Sequence, residues 1–531
     1  MHAWFKQRRF ALCLAVTLLC VEAALFFSIY ASAPPDTRWL GDTIYFPGDA
    51  AVYLSYIHQI ADGAQLQDNL YAIEPHSLRF NPFWTALGLV ARLGFSPLSV
   101  YIGASLLLTL PLVLALYEVC LYTTHSATKA KLATTIAILG GTTGWMYTIY
   151  ISLFKHWGWK TVVAPDLGSE FSIFPVLFGG PHNILSTLLI LIALNLSWRG
   201  VQDDAKTKKL IIFSLPTAIL LSYHPYFTPL IVIFISLACL WELTAWKERA
   251  RKFVALLLLP GVVTASIYLP EIWDQTFMQQ HLVTNQQPLA PLLSWVMTLA
   301  LPSAALLWRW KKRITITQEE KWVVAWILSV LIFVVLPFPW KRKATQGLAI
   351  AFVLLGLPFW SFLTEKIRSI NPRLIRTQMS VVFWIALALT PLHFITSQLA
   401  WIAQTSDTRI WFYRPDGVFS AWEYLHAETQ PDKTIVMTDE AWLNLWTPAY
   451  AVRTVFVGHD HESPDYSRKM ERWKNLLTSE DTEKVLGFLS ENAVSDIMLT
   501  RKTSVGLEAR LSDIGWSRVF EQDEVRILHR P

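Results

Sequence analysis

Charge is scarce in this 531-residue chain, where Asp, Glu, Lys and Arg together make up only 16%. Soluble domains carry roughly 25%, so a surface that faces water throughout is excluded. Cysteine is nearly absent as well: Cys13, Cys20, Cys120 and Cys239 are the only four, each in or beside an apolar stretch. No disulfide framework can be read from that placement. The net charge of +5 is spread over short loops. No concentrated basic patch results, and no nucleic-acid partner is expected.

What the chain has instead is apolar length. It is 53% hydrophobic, and runs of about 18 or more apolar residues recur, each able to cross a hydrocarbon core of ~30 Å. Its 25 tryptophans suit interfacial belts, where the ring is half buried and the indole N–H stays wet. The expected architecture is a mostly α, polytopic transmembrane bundle of about 11 spans. These are placed near 10–32, 98–120, 131–151, 183–198, 210–224, 227–245, 253–270, 289–308, 322–339, 347–363 and 379–399. The stretch 82–94 is apolar but short and reads as an interfacial helix. The first segment has a basic start and ends in Ala-Ser-Ala, as a cleavable signal would. Its apolar part is about twice the usual h-region of 7–15 residues, so a retained anchor is expected.

Charge tests this threading. With the N-terminus inside, the cytoplasmic segments include "KQRR", "HSATKAK", "KERARK" and "RWKKRITITQEEK", all rich in Lys and Arg, whereas the outer "EIWDQTFMQQHLVTNQQPLAP" has none. That asymmetry is the positive-inside pattern and puts the C-terminus outside. Against the trend, Lys341, Arg342 and Lys343 of "LPFPWKRKATQ" fall on the outer face. Cations that snorkel from a helix end would account for them. So would a pocket for a phosphate or pyrophosphate, to which Arg offers a bidentate fork.

The first outer loop, 33–97, is long, and within it Asp49 precedes the helical "AAVYLSYIHQIAD", stopped by Gly63. Asp49 is either the structural cap of that helix or a general base at the membrane surface. Asp42 and Glu74 are secondary candidates in the same loop. In a second outer loop, Asp166 and Glu170 stand four apart. They are either solvated loop carboxylates or a pair that holds a divalent cation or positions an acceptor hydroxyl. His182 and His224 sit at the outer ends of the fourth and fifth predicted helices. Each alone reads as a packing residue. Ionisable groups gathered at one membrane face are, by default, a functional-site hypothesis. Glu22, inside the first span, receives no role.

From about residue 405 the composition becomes that of a soluble domain, and alternating strand and helix patterns through 531 predict a small α/β domain after a membrane domain of 1–404. Its "GHDHESPDY" follows a predicted strand, the place where α/β folds present ligand groups. His459, Asp460, His461 and Glu462 there form either a polar turn or a contact with substrate or with the membrane-face site; they are also metal-ligand types, at a spacing that matches no firm metal signature.

Four stretches together resemble the GT-C class of membrane glycosyltransferases, and more closely a prokaryotic branch related to the protein-mannosyltransferase-like group. They are "GDAAVYLSYIHQIADG", "PDLGSEFSIFPVLFGGPHN", "LPFPWKRKATQGLAIAFVLLGL" and "VFVGHDHESPDY". The resemblance implies a multi-pass protein of the prokaryotic plasma membrane, with its C-terminal domain extracytoplasmic. It implies a polyprenyl-phosphate sugar as donor and a glycan, lipid or protein as acceptor. Asp49 would be the catalytic base, and Lys341, Arg342 and Lys343 would bind the donor phosphate. The first outer loop carries no DxD pair, and a divalent cation stays an open option. Two other readings compete. A transporter or lipid flippase would gather its ionisable residues near the bilayer midplane, often on paired broken helices. A non-catalytic envelope-assembly scaffold would need no intact Asp49.

Overall fold

The computed structural model describes residues 2–41, 48–76, 78–154, 165, 168, 170–203, 206–273, 289–403, 412–430, 434–500 and 505–530. The chain forms two compact units. One comprises Met1–Leu25, Ile102–Ile267 and Gln287–Ala400; the other is built mainly from Phe26–Tyr101 and Trp401–Pro531.

The first unit is helical. Among the described residues, seven unbroken helices of the chain are long and apolar enough to cross a membrane: Arg8–Ala31, Pro97–Thr124, Pro181–Gln202, Pro225–Glu242, Trp246–Leu269, Leu292–Lys311 and Arg373–Ala400. An eighth crossing results if Lys343–Leu355 and Leu357–Arg368, bent by 54°, count as one. Three predicted spans differ from expectation. The segment 131–151 divides into Ala127–Leu139 and Trp145–Phe154, because Gly140 and Gly141 both adopt positive φ. The segment 210–224 divides into Thr207–Phe213 and Leu215–Tyr223, where Pro216 at the second helix's start has no N–H to give. The segment 322–339 is helical only over Lys321–Val335, 15 residues. Pro181–Gln202 is the most buried of the seven long helices. Trp198, Trp322 and Trp326 are fully enclosed, while Leu107, Val335 and Leu374 stand exposed on apolar faces that suit a hydrocarbon solvent. In the second unit, the short helix Pro82–Ala91 is present as predicted, capped by Asn81, whose side chain accepts from the N–H groups of Phe83 and Trp84.

The second unit holds two sheets. Strand β1 (Thr37–Trp39) pairs antiparallel with β2 (Tyr413–Pro415). The five others are β3 (Ile435–Thr438), β4 (Thr454–Val455), β5 (Asp496–Thr500), β6 (Ser517–Gln522) and β7 (Val525–His529), in the order β4-β3-β5-β7-β6. Strands β4, β3 and β5 run parallel, and β7 and β6 complete the sheet antiparallel. Strands β3 and β5 are buried along nearly their whole length, which is why "IVMT" and "DIMLT" read as short apolar runs rather than as alternation. Met437, Ile497, Leu499, Trp473, Leu476, Val485 and Leu489 form the core between this sheet and the helices Tyr466–Thr478 and Thr482–Glu491.

Candidate functional site

In the second unit, a cleft of about 710 Å³ opens where β3 and β4 end. Carboxyl ends of parallel strands are where open α/β sheets present ligand groups. Asp439 and Glu440 follow β3, and His459, Asp460 and His461 follow β4. Asp49 enters from the first long loop.

Asp49 is the first residue of the helix Asp49–Ala61, and the cap position belongs to Gly48 at φ 97°, with no side-chain capping bond. The structural-cap reading of Asp49 is thereby replaced. Its carboxylate stands in the first turn, where the helix dipole favours negative charge, and lies 3.6 Å from Nε2 of buried His459. That distance is a charge contact, longer than a hydrogen bond. The His461 N–H donates to Nδ1 of His459 at 3.2 Å. In the neutral ring Nδ1 therefore carries the lone pair, and the N–H is the one at Nε2, facing Asp49. Burial alone would lower the pKa of His459. The negative charge of Asp49, with the charges of Asp460 and Glu462, outweighs it and holds the imidazole above its ordinary value.

The loop carrying His459 is pinned from several sides. Ser463 Oγ donates to the Tyr71 carbonyl at 2.9 Å and accepts from the Gly458 N–H at 3.1 Å. Glu462 accepts from Arg79 Nη1 at 3.1 Å, and Asn69 donates to the Glu462 carbonyl at 2.9 Å. Glu462 is thus a partner of Arg79. Glu74, a secondary candidate, is held by Lys469 at 2.7 Å.

Arg414 is a lining residue that the sequence did not single out. It comes from β2, is 5% exposed, and donates through Nη1 to Glu440 at 2.8 Å. Its Nε and Nη2 have no hydrogen-bond partner among the described residues. A buried guanidinium with spare donors at a cleft is a ready contact for an anionic or hydroxyl-rich ligand.

The first unit gathers the other predicted residues. Arg342 Nε and Lys343 Nζ converge on one oxygen of Glu170, at 3.1 and 3.4 Å. Glu170 and Lys343 are mostly buried, whereas the Arg342 side chain is 48% exposed. Lys341 forms no ion pair among the described residues, so positive charge is in excess over Glu170 here. The backbone locks the arrangement, since the Gly347 N–H donates to the Glu170 carbonyl at 2.6 Å and Ala349 donates to Phe171 at 3.3 Å. Gln346 adds bonds to Thr187 Oγ1 and to the Asn183 carbonyl. His182 and His224 meet edge to face with ring centroids 5.5 Å apart, and Ser186 Oγ lies 2.9 Å from His224 Nδ1. Glu22 is buried and accepts from Thr109 Oγ1 at 2.7 Å. Asp42 and Asp166 lie outside the described residues. Among the described residues, Glu170, His459 and Glu462 belong to no group of three side chains spaced to hold a metal.

Neither a described protein family nor any curated protein matches the sequence. Solved structures do match. The archaeal oligosaccharyltransferase AglB from Archaeoglobus fulgidus, in complex with an inhibitory peptide and a dolichol-phosphate, aligns at TM-score 0.50 and 13% identity, over 94% of this chain and 70% of that one. ArnT from Cupriavidus metallidurans, bound to undecaprenyl phosphate, aligns at TM-score 0.52 and 12% identity, over 97% of each chain. At these identities the likeness establishes the fold. It is the multi-pass bundle with a C-terminal α/β region expected of the GT-C class.

Proposed function

We propose that the protein is a membrane glycosyltransferase that moves a sugar from a polyprenyl-phosphate donor to an acceptor hydroxyl on the extracytoplasmic face. The observation that carries this reading is the Asp49–His459 pair at the edge of a cleft, on a fold shared with a protein solved with undecaprenyl phosphate.

Asp49 accepts the proton of the acceptor hydroxyl as its oxygen attacks the anomeric carbon. His459 holds one carboxylate oxygen and so sets the direction of the other. Arg414 offers its spare N–H groups to the sugar or acceptor. The bond that breaks joins the anomeric carbon to the phosphate oxygen, and the phosphate leaves already ionised. Stabilising its charge therefore counts for more than protonating it. Arg342, the exposed member of the cation run, supplies that charge with Lys341 and Lys343.

The test uses purified protein in lipid vesicles with a radiolabelled polyprenyl-phosphate hexose and a membrane extract as acceptor, following release of polyprenyl phosphate. Asp49→Asn is expected to lower turnover by about 10²–10⁴, and Arg342→Ala by about 10²–10³. Unchanged release by Asp49→Asn would remove the transferase reading, and unchanged release by Arg342→Ala would remove that residue from the phosphate site.

A further inference from the structure

At the far end of the helix that begins with Asp49, three side chains meet for which neither the sequence reading nor the proposed reaction has a use. His58 lies in the last turn, Asp62 follows it by four residues on the same face, and His426 comes from the last turn of the helix Asp416–Glu428. His58 Nε2 is 3.8 Å from Asp62 Oδ1, and His426 Nε2 is 3.7 Å from Asp62 Oδ2. The two imidazoles stack with centroids 5.1 Å apart. One ligand atom from each of the three lies within 4.8 Å of the others.

The hydrogen bonds behind the rings fix which nitrogen faces the cluster. His58 Nδ1 is 3.0 Å from the Ala449 carbonyl, and His426 Nδ1 is 3.3 Å from the Ala451 carbonyl. A carbonyl oxygen only accepts, so each Nδ1 carries the hydrogen, and each neutral ring turns the lone pair of Nε2 toward Asp62. Metal-binding histidines are commonly oriented in this way, by an outer carbonyl that accepts the second ring N–H. The Ala451 carbonyl is itself held. Arg453, 2% exposed, donates to the Ala451, Val452, His426 and Thr429 carbonyls and to Thr429 Oγ1. All five of its N–H groups are spent in this knot rather than on Asp62.

The gaps are informative. At 3.7 and 3.8 Å the imidazoles stand beyond hydrogen-bonding distance of the carboxylate. Tetrahedral zinc with bonds of about 2.0–2.2 Å places neighbouring ligand atoms roughly 3.3–3.5 Å apart. A few tenths of an ångström of side-chain adjustment would bring the pairs involving Asp62 to that spacing. The three side chains are between 20% and 36% exposed, so an ion can reach them.

We propose that His58, Asp62 and His426 form a binding site for a divalent transition metal of the zinc class, with a fourth position open to water. Two imidazoles and one carboxylate suit zinc better than magnesium or calcium, which take oxygen ligands. The ion would clasp the helix Asp49–Ala61 to the helix Asp416–Glu428, and so join the first long loop to the C-terminal region within one unit. It would steady the helix whose other end carries Asp49.

The experiment takes the full chain in detergent, strips it with chelator, dialyses it against micromolar free zinc, and measures bound metal by elemental analysis. Asp62→Asn and His426→Ala are compared with the unaltered protein, and thermal unfolding without metal confirms that all three are folded. Asp62→Asn keeps the volume of the side chain and guards against a variant that fails to fold. The unaltered protein is expected to retain one more zinc per chain than either variant, with affinity at least ~10-fold higher, the scale lost when even an outer-shell partner of a ligand is removed. Cobalt loading should give the visible absorption of a four-coordinate site in the unaltered protein alone. Equal zinc content in all three proteins, or no zinc retained by the unaltered one, would overturn the assignment.

Discussion

Arg79 and Glu462 form a largely buried ion pair, Nη1 to Oε2 at 3.1 Å, with side-chain exposures of 14% and 13%. One partner comes from the first long loop and the other from the loop that carries His459, so the pair fastens together the two segments that line the cleft. Removing one partner of a buried pair leaves the other charged and unsolvated, at a cost of about 3–5 kcal/mol. Arg79→Ala is expected to lower the melting temperature in detergent by several degrees. Glu462→Gln, which retains an acceptor for Arg79, should cost less.

His459 gives the cleft a pH signature. Its pKa is raised in the folded protein, so its contribution to stability is fully present below the ordinary histidine range, near pH 6.5. It is lost as pH rises through the raised folded value. Thermal unfolding between pH 6 and 9 should therefore show stability declining as pH rises above the ordinary histidine range. Asp49→Asn removes the charge that favours the imidazolium and should flatten the decline. An unaltered slope in Asp49→Asn would mean that the two residues are not coupled.

Glu170 is 4% exposed between two cations. Glu170→Gln leaves Lys343 buried without its counter-ion and should lower stability by about 3–5 kcal/mol. If a lipid phosphate binds these cations, it can take over the role of the carboxylate. Polyprenyl phosphate should then raise the melting temperature of Glu170→Gln more than that of the unaltered protein. An equal or smaller rise would separate the cation run from the donor site.

Arg414→Lys tests the spare donors at the cleft. Lys can keep the contact with Glu440 but cannot present the planar fork of the guanidinium. Transfer, measured as kcat/KM, is expected to fall at least tenfold, about 1.4 kcal/mol, with little change in melting temperature. Undiminished kcat/KM would leave Arg414 as a structural partner of Glu440.

Most of the membrane part was legible because hydropathy needs only composition and length. The breaks were not. Gly140 and Gly141 look harmless in an apolar run until their positive φ is seen, and Pro216 is common enough at helix starts not to announce a division. Strands β3, β5 and β7 read as short apolar runs between turn residues, whereas "SRVFEQ" of β6 gives no such signal, because it lies at the sheet edge, largely exposed. The helix Ala441–Tyr450 gives no clear helical pattern either, since it is apolar on most faces and contains Pro448. At the site, Asp49 and His459 could each be named from local pattern. Their contact, like that of Glu170 with Arg342, joins segments hundreds or scores of residues apart, and no local pattern encodes such pairs. Arg414 gave no local signal, because nothing in "FYRPD" tells a buried guanidinium from a surface one.

The ribbon of β1 and β2 joins Thr37–Trp39 to Tyr413–Pro415, and this has a bearing on biogenesis. The ribosome makes β1 ahead of the long apolar helices that follow it, and β2 only after Arg373–Ala403 has emerged. Until then the segment bearing Asp49 waits without its companions, and a product truncated before residue 412 would leave that segment unclosed. Maturation of the acidic residue's surroundings is therefore tied to synthesis of the later segments, and premature release would yield a polypeptide in which Asp49 lacks His459.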